Sequence, residues 1–160
     1  SKKNLYKLRQ SLLEYQNIYF ITEVLEKKKV NSLIKNVDVL VSLHRAEGFG
    51  LVLAEAMLLG TPVIATNWSS NTEFMSSESS CMVKYQLTAS KRREGLYKKG
   101  CVWAEPDIED AAAFMVRLKN DRVFYEDMKV KGERCLRERL NVQQLVELWN
   151  KSIKEIENGR

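Results

Sequence analysis

The chain has few of the residues that build disulfide frameworks and metal centres. Its 160 residues include three cysteines and one histidine. The cysteines, Cys81, Cys101 and Cys135, are odd in number and form no Cys-x-x-Cys pair. This pattern argues against a disulfide framework and against a zinc site. The reducing cytoplasm is the natural expectation for such a protein.

Long hydrophobic runs are also lacking. The longest apolar stretch, Gly48 to Leu59, contains Glu55 and is far too short to span a bilayer. The sequence begins without a signal-peptide pattern, and it holds no internal repeat. Charged residues make up 29% and apolar residues 44%, which is ordinary for a soluble protein. We expect one domain over residues 1–160.

The net charge of +5 comes largely from short basic clusters. They lie at Lys27–Lys29, Lys91–Arg93 and Lys98–Lys99. Such clusters can attract anionic lipid headgroups or nucleic acid. Aromatic residues do not interleave with them as single-strand binding requires, so nucleic acid is not an expected partner. Two interpretations stay open, namely a solvated surface and a peripheral contact with a membrane.

Strand and helix patterns alternate through the first half of the chain. The strand patterns are Asn17–Thr22, Val37–Leu43, Pro62–Thr66 and Cys81–Tyr85. The helix patterns are Lys2–Tyr15, Val30–Ile34, Leu51–Leu59 and Asn71–Met75. This βαβα order predicts an α/β fold, a Rossmann-like parallel sheet with helices on both faces.

From about residue 107 the patterns are helical. Asp107 is suited to cap one helix, Asp121–Arg139 forms a second, and Asn141 is suited to cap a third. The preceding segment, Gln86–Gly100, is long, basic and weakly patterned. We interpret it as a surface loop, with a lid near a ligand as the alternative.

The most informative residues are two glutamates, Glu47 and Glu55, on either side of a strand-to-helix turn. Gly48 and Gly50 let the backbone approach a ligand closely, and the unpaired amides that open the helix attract phosphate. Glu55, one helical turn further on, could accept hydrogen bonds from hydroxyl groups. An anion cradle between two such carboxylates indicates a sugar nucleotide site. The alternative is a buried helix with Glu55 as a surface charge.

The spacing Glu-x7-Glu around Glu-Gly-Phe-Gly resembles the donor-site motif of a known enzyme family. That family is the retaining GT-B glycosyltransferases of the family 4 type, also called glycosyl transferases group 1. Three further segments resemble its later parts, namely Thr61–Thr66, Asn71–Phe74 and Trp103–Asp107. The resemblance covers roughly residues 17–121.

The resemblance implies an enzyme that transfers a sugar from a nucleoside diphosphate sugar to a saccharide or lipid-linked acceptor. It implies retention of configuration, Glu47 as the catalytic residue, and a donor site of Glu47, Gly48, Phe49, Gly50, Leu51 and Glu55. His44 and Arg45 are candidates for a phosphate contact, with packing at the strand's end as the alternative for His44. We expect no metal, because no Asp-x-Asp is present, and no cofactor besides the nucleoside diphosphate sugar as co-substrate.

The family's Gly-Arg…Lys-Gly turn and its amino-terminal domain do not precede Ser1. We therefore expect the carboxyl-terminal, donor-binding half of a GT-B fold with its first strands missing, inactive alone. The Asn17–Thr22 strand would then have an open edge, which suggests a homo-oligomer or an altered strand order. The resemblance also suggests polysaccharide biosynthesis in the cytoplasm, at the inner face of the membrane.

Two other functions remain open. One is a sugar nucleotide enzyme of another kind on the GT-B fold, an epimerase or a phosphorylase. The epimerases share the fold without this Glu-Gly-Phe-Gly signature, and no lysine motif for pyridoxal phosphate is recognisable. The other is a non-catalytic module for nucleotide-sugar binding or assembly. The missing phosphate-binding turn favours it, and the intact glutamates and glycines argue against it.

Overall fold

Three parallel strands form the centre of the structure. In the computed structural model, which describes residues 2–90 and 98–139, they lie in the order β1 (Leu40–Ser42), β2 (Val63–Thr66) and β3 (Cys81–Val83). Val41 lies opposite Ile64, and Ala65 lies opposite Met82. The predicted parallel sheet is confirmed.

The helices connect and cover these strands. They are α1 (Lys2–Ser11), α2 (Lys27–Asn36), α3 (Leu51–Leu58), α4 (Ile108–Asn120) and α5 (Arg122–Arg139), with a 3-10 helix at Ser70–Glu73. The predicted cap at Asp107 is confirmed, because its carboxylate accepts from the amide of Asp110 at 3.1 Å. The helix predicted after Asn141 lies outside the described residues.

Helices pack on both faces of the sheet, as predicted, because the side chains of β2 alternate between two cores. Val63 and Ala65 face a core with α2, α3 and the end of α5, whereas Ile64 faces a core with α4 and the start of α5. All three are buried. The first core includes Ile34, Leu53, Met57 and Leu136, and the second includes Ala111, Leu118 and Met128. The burial of both faces explains the continuous apolar run of β2.

A β-hairpin follows β3 in the sequence and precedes α4. Its strands, β4 (Tyr85–Ala89) and β5 (Val102–Pro106), are antiparallel, with Leu87 opposite Ala104. The prediction of a surface loop over Gln86–Gly100 is therefore wrong for its first residues. Their partner strand lies beyond the segment, so the pattern of the segment alone could not reveal the pairing. Residues 91–97 of this segment lie outside the described part, and the lid alternative stays a prediction.

The predicted strand at Asn17–Thr22 is absent from the structure. Its side chains are exposed except for the half-buried Phe20, with Tyr19 at 86% and Ile21 at 56%. Aromatic and β-branched residues favour a strand, but the strand forms only where another strand takes its backbone hydrogen bonds. The described sheet therefore begins at β1, which pairs only with β2. The predicted oligomer stays a prediction.

Among the described helices, none combines the length and the apolar character that crossing a membrane requires.

Candidate functional site

The loop from β1 to α3 lies at the carboxyl end of the first strand, where ligands bind in open α/β sheets. It ends at Gly50, whose φ of 87° lies in the left-handed region. A Cβ at this position would lie 3.2 Å from Cδ1 of Leu53. Backbone conformation and close packing therefore both require glycine here.

The amino end of α3 has no side-chain cap. Gly50 occupies the N-cap position and has no side chain to accept a hydrogen bond, and the first turn holds no acidic residue. The turn is also open to solvent, with Leu51 66% exposed and Val52 50% exposed. Uncapped amides at a helix start carry partial positive charge and can bind an anion.

A cleft of about 360 Å³ lies between β1 and this first turn. This volume is in the range of small-molecule sites, about 300–1,000 Å³. The cleft is lined by residues 40–42 of β1, Glu47 and residues 49–53. Phe49 packs against the ring of Phe74, with the centroids 5.3 Å apart. Four of the predicted donor-site residues are thus brought together, namely Glu47, Phe49, Gly50 and Leu51, while Gly48 and Glu55 are not among the lining residues.

Glu47 is held at both its side chain and its backbone. Its Oε1 accepts from the amide of Gly48 at 2.9 Å. Its backbone N–H donates to Oγ of Ser69 at 3.2 Å, and that hydroxyl donates to its carbonyl oxygen at 2.7 Å. Ser69 is a residue that the sequence analysis missed, because serine in a short loop carries no signal by itself.

Glu55 lies within α3, and its carboxylate forms an ion pair with Lys27, the first residue of α2. The side chain of Glu55 is 27% exposed and that of Lys27 is 62% exposed. The pair connects the basic cluster Lys27–Lys29 to Glu55, the second glutamate of the motif. A ligand that hydrogen-bonds to Glu55 would therefore also meet the ammonium group of Lys27.

His44 connects the ends of two strands. Its Nε2 lies 3.0 Å from the carbonyl oxygen of Trp68 and 3.1 Å from Oδ1 of Asn71, and its Nδ1 lies 3.2 Å from Oγ of Ser42. Because both partners of Nε2 are acceptors, this nitrogen carries a hydrogen. These bonds favour the packing role, and the phosphate contact stays a prediction.

Arg45 joins the loop to the hairpin. Its Nε and Nη2 donate to the carboxylate of Glu105 at 2.7 and 2.8 Å, and its guanidinium lies 5.4 Å from the ring centroid of Trp103. The backbone takes part as well, since the amide of Ala104 donates to the carbonyl oxygen of Arg45 at 3.1 Å. Hydrogen bonding to Arg45 lowers the pKa of Glu105 below its ordinary value. The phosphate contact of Arg45 stays a prediction.

Within residues 2–90 and 98–139, no three histidine, cysteine, aspartate or glutamate side chains come together as a metal site would require. The groups that line the cleft are the carboxylate of Glu47, the uncapped start of α3 and apolar side chains.

The sequence matches the family of glycosyl transferases group 1 over residues 1–134. The chain belongs to this family. The match covers most of the chain, including the loop, the sheet, the hairpin and α4. A comparison with curated protein sequences finds no match.

Solved structures show the same fold in other proteins. Sucrose-phosphate synthase from Thermosynechococcus elongatus has a TM-score of 0.70 at 17% identity, over 99% of this chain and 35% of its own. HepE from Anabaena, in complex with UDP and glucose, has a TM-score of 0.68 at 15% identity, over 96% and 36%. The carboxyl-terminal domain of the group 1 protein LpcC from Francisella tularensis has a TM-score of 0.61 at 21% identity, over 84% and 60%.

This group 1 chain therefore has an α/β fold that matches the carboxyl-terminal domains of GT-B glycosyltransferases. It spans about a third of the length of the sucrose-phosphate synthase and HepE chains. Group 1 membership indicates glycosyl transfer as the chemistry of the family.

Proposed function

We propose that this chain is the donor-binding part of a retaining glycosyltransferase of the family 4 type. The enzyme transfers a sugar from a nucleoside diphosphate sugar to a saccharide or lipid-linked acceptor. The observation that carries the proposal is the cleft in which Glu47 meets the uncapped start of α3, at the carboxyl end of β1. The Anabaena relative is known in complex with UDP-glucose, which supports a nucleotide sugar as the ligand.

The diphosphate of the donor binds against the amides of residues 48–51. The helix start supplies partial positive charge, and its amides can donate to phosphate oxygens. The amide of Gly48 now donates to the carboxylate of Glu47, so a phosphate at this position takes the place of that carboxylate. The carboxylate of Glu47 then loses its hydrogen bond to Gly48 and can bind the donor sugar.

The carboxylates of Glu47 and Glu55 bind the sugar and the ribose of the donor, respectively. Glu47 accepts hydrogen bonds from hydroxyls of the sugar and stabilises positive charge that develops on its ring. Glu55 accepts hydrogen bonds from the ribose hydroxyls, beside its partner Lys27. A hydrogen bond to a charged group contributes about 1.5–3 kcal/mol. Loss of Glu55 therefore weakens nucleotide binding about ten-fold or more.

The acceptor and the cellular location are part of the same proposal. The enzyme works in the cytoplasm in polysaccharide synthesis, at the inner face of the membrane when the acceptor is lipid-linked. Exposed lysines at Lys28, Lys29, Lys98 and Lys99 support a contact with anionic headgroups. The reaction needs no metal and no cofactor besides the nucleoside diphosphate sugar. The 160-residue chain alone transfers no sugar, because departure of the diphosphate and binding of the acceptor need groups from the rest of the enzyme.

Thermal unfolding with a panel of nucleotides tests the donor site. UDP, GDP, dTDP, ADP and their sugar conjugates are added to the wild-type chain, to Glu55→Ala and to Glu78→Ala, an exposed glutamate outside the site. A ligand that binds the folded state raises the unfolding midpoint with the logarithm of its saturation. We expect a rise with one nucleotide, reduced in Glu55→Ala and kept in Glu78→Ala.

No rise with any nucleotide would remove the support for a donor site in this chain and would favour the non-catalytic assembly module. A rise that persists unchanged in Glu55→Ala would place the nucleotide elsewhere. Interconversion of the free nucleotide sugar without an acceptor, followed by chromatography, would instead identify a GT-B epimerase.

A further inference from the structure

The loop after β2 contains the most unusual backbone conformation in the described part of the chain. Ser69 has φ 81° and ψ −165°, a region that is essentially restricted to glycine. Among the described non-glycine residues, it alone has a positive φ. Strain of this kind persists only where the surrounding contacts enforce it, and it occurs often at functional sites.

The side chain of Ser69 does not cap the helix that it precedes and instead bonds another loop. It occupies the N-cap of the 3-10 helix Ser70–Glu73, where a serine commonly accepts from an amide of the first turn. No such cap bond forms. The hydroxyl instead bonds the backbone of Glu47, 22 residues earlier, both as acceptor from its N–H and as donor to its carbonyl oxygen.

The neighbouring contacts strengthen the connection between the two loops. Oγ of Ser70 also donates to the carbonyl oxygen of Glu47, at 3.4 Å, and His44 donates to the carbonyl oxygen of Trp68, the residue before Ser69. The loop after β2 is thus bonded to both the N–H and the carbonyl oxygen of Glu47. Serine satisfies this geometry through its hydroxyl, whereas glycine would suit the backbone alone.

We propose that Ser69 is a positioning residue for Glu47, and that its hydroxyl fixes the Glu47 backbone so that the carboxylate can select the sugar of the donor. This inference rests on the proposed function of Glu47. Ser69 acts through Glu47 and does not itself touch the ligand. Its loss therefore weakens binding of the nucleotide sugar more than binding of the nucleotide without sugar.

Calorimetric titration with UDP and UDP-glucose, or with the base that the thermal panel selects, tests this selectivity. The variants are Ser69→Ala, Ser69→Gly, Glu47→Ala and the double variant Glu47→Ala with Ser69→Ala. The control is Thr72→Ala, which removes a side-chain bond to the carbonyl oxygen of Ser69 and leaves the Glu47 contacts in place.

We expect Ser69→Ala to lower affinity for the nucleotide sugar about two- to ten-fold, as for one neutral hydrogen bond, with affinity for the nucleotide unchanged. Ser69→Gly gives the same loss, because it relieves the backbone but lacks the hydroxyl. In the Glu47→Ala background the loss disappears, since the two residues act as one unit. An equal loss for both ligands, an additive double variant, or a Ser69→Gly protein with wild-type selectivity would overturn the proposal.

Amide hydrogen exchange supplies a second measurement that needs no ligand. The N–H of Glu47 donates to Ser69, so Ser69→Ala should lower the exchange protection of this amide, whereas Thr72→Ala should not. Unchanged protection in Ser69→Ala overturns the positioning role. If that protection falls but the wild-type chain binds no nucleotide in the titration, the proposed donor function fails and the contact between Ser69 and Glu47 stands.

Discussion

Arg45 and Glu105 are 60 residues apart in sequence, and they form a bidentate pair of 2.7 and 2.8 Å. Arg45 lies two residues before Glu47 in the loop of the candidate site, and Glu105 lies in β5 of the hairpin. Both side chains are about half exposed, so the pair positions the two elements more than it stabilises the fold. The hairpin is thereby fixed beside the loop from β1 to α3.

The pair predicts a low pKa for Glu105. Hydrogen bonds from Arg45 favour the charged carboxylate, which lowers its pKa below 4.5 in the folded protein. The stability that the pair contributes is present above this ordinary value and is lost as pH falls through the lowered one. An NMR titration of the Glu105 carboxyl carbon should give a midpoint below 4.5 that rises in Arg45→Gln. The control Arg134→Gln, at an exposed position on α5, should leave the Glu105 midpoint unchanged. An unchanged midpoint in Arg45→Gln would contradict the pairing.

The two glycines of the motif should respond differently to alanine. An added Cβ at Gly48 meets no heavy atom within 4 Å, so Gly48→Ala should change stability by less than about 0.5 kcal/mol. At Gly50 the Cβ meets Leu53 and the backbone has a positive φ, so Gly50→Ala should cost about 1–3 kcal/mol. Urea unfolding measures both.

Nucleotide titration of the stable variant then reports on the ligand. If a phosphate approaches the backbone at Gly48, the methyl group of Gly48→Ala should lower nucleotide affinity while the unfolding curve stays that of the wild type. Wild-type affinity in Gly48→Ala would show that the ligand does not approach there.

The bonds of His44 predict a structural loss. Its Nε2 donates to the carbonyl oxygen of Trp68 in a partly buried site, and alanine would leave that acceptor without this donor. Leaving a buried acceptor unsatisfied costs about 1–3 kcal/mol. Urea unfolding of His44→Ala should show this decrease, with a smaller one for Ser42→Ala, which removes only the bond to Nδ1. Unchanged stability with weakened nucleotide binding would instead favour the phosphate contact.

The three cysteines should differ in reactivity. Cys81 in β3 is buried, and burial raises the pKa of its thiol to about 12, against a smaller lowering effect of Arg117. Because the thiolate is the reactive form, Cys81 should not react near neutral pH until the protein unfolds. Cys101 and Cys135 are partly exposed and should be alkylated in the folded state. Mass spectrometry of peptides after timed alkylation distinguishes them, and rapid labelling of Cys81 would contradict the fold.

Elements whose signals are local could be predicted from the residues alone. The continuous apolar run of Val63, Ile64 and Ala65 marks a buried strand, and Asp107 marks a helix start through its own side chain. The turn between Glu47 and Gly50 was likewise predictable. Small residues at a strand-to-helix junction leave few other conformations.

Contacts between residues far apart in the sequence could not be predicted in this way, because they depend on how whole elements pack. Asn17–Thr22 has strand propensity without a strand, because propensity cannot supply the backbone partner that a sheet requires. Tyr85–Ala89 is a strand because Val102–Pro106 pairs with it. The hydroxyl of Ser69 reaches Glu47 across 22 residues, through a contact between two loops that packing brings together. Contacts of this kind depend on the relative positions of whole elements, which the residues of neither loop encode alone.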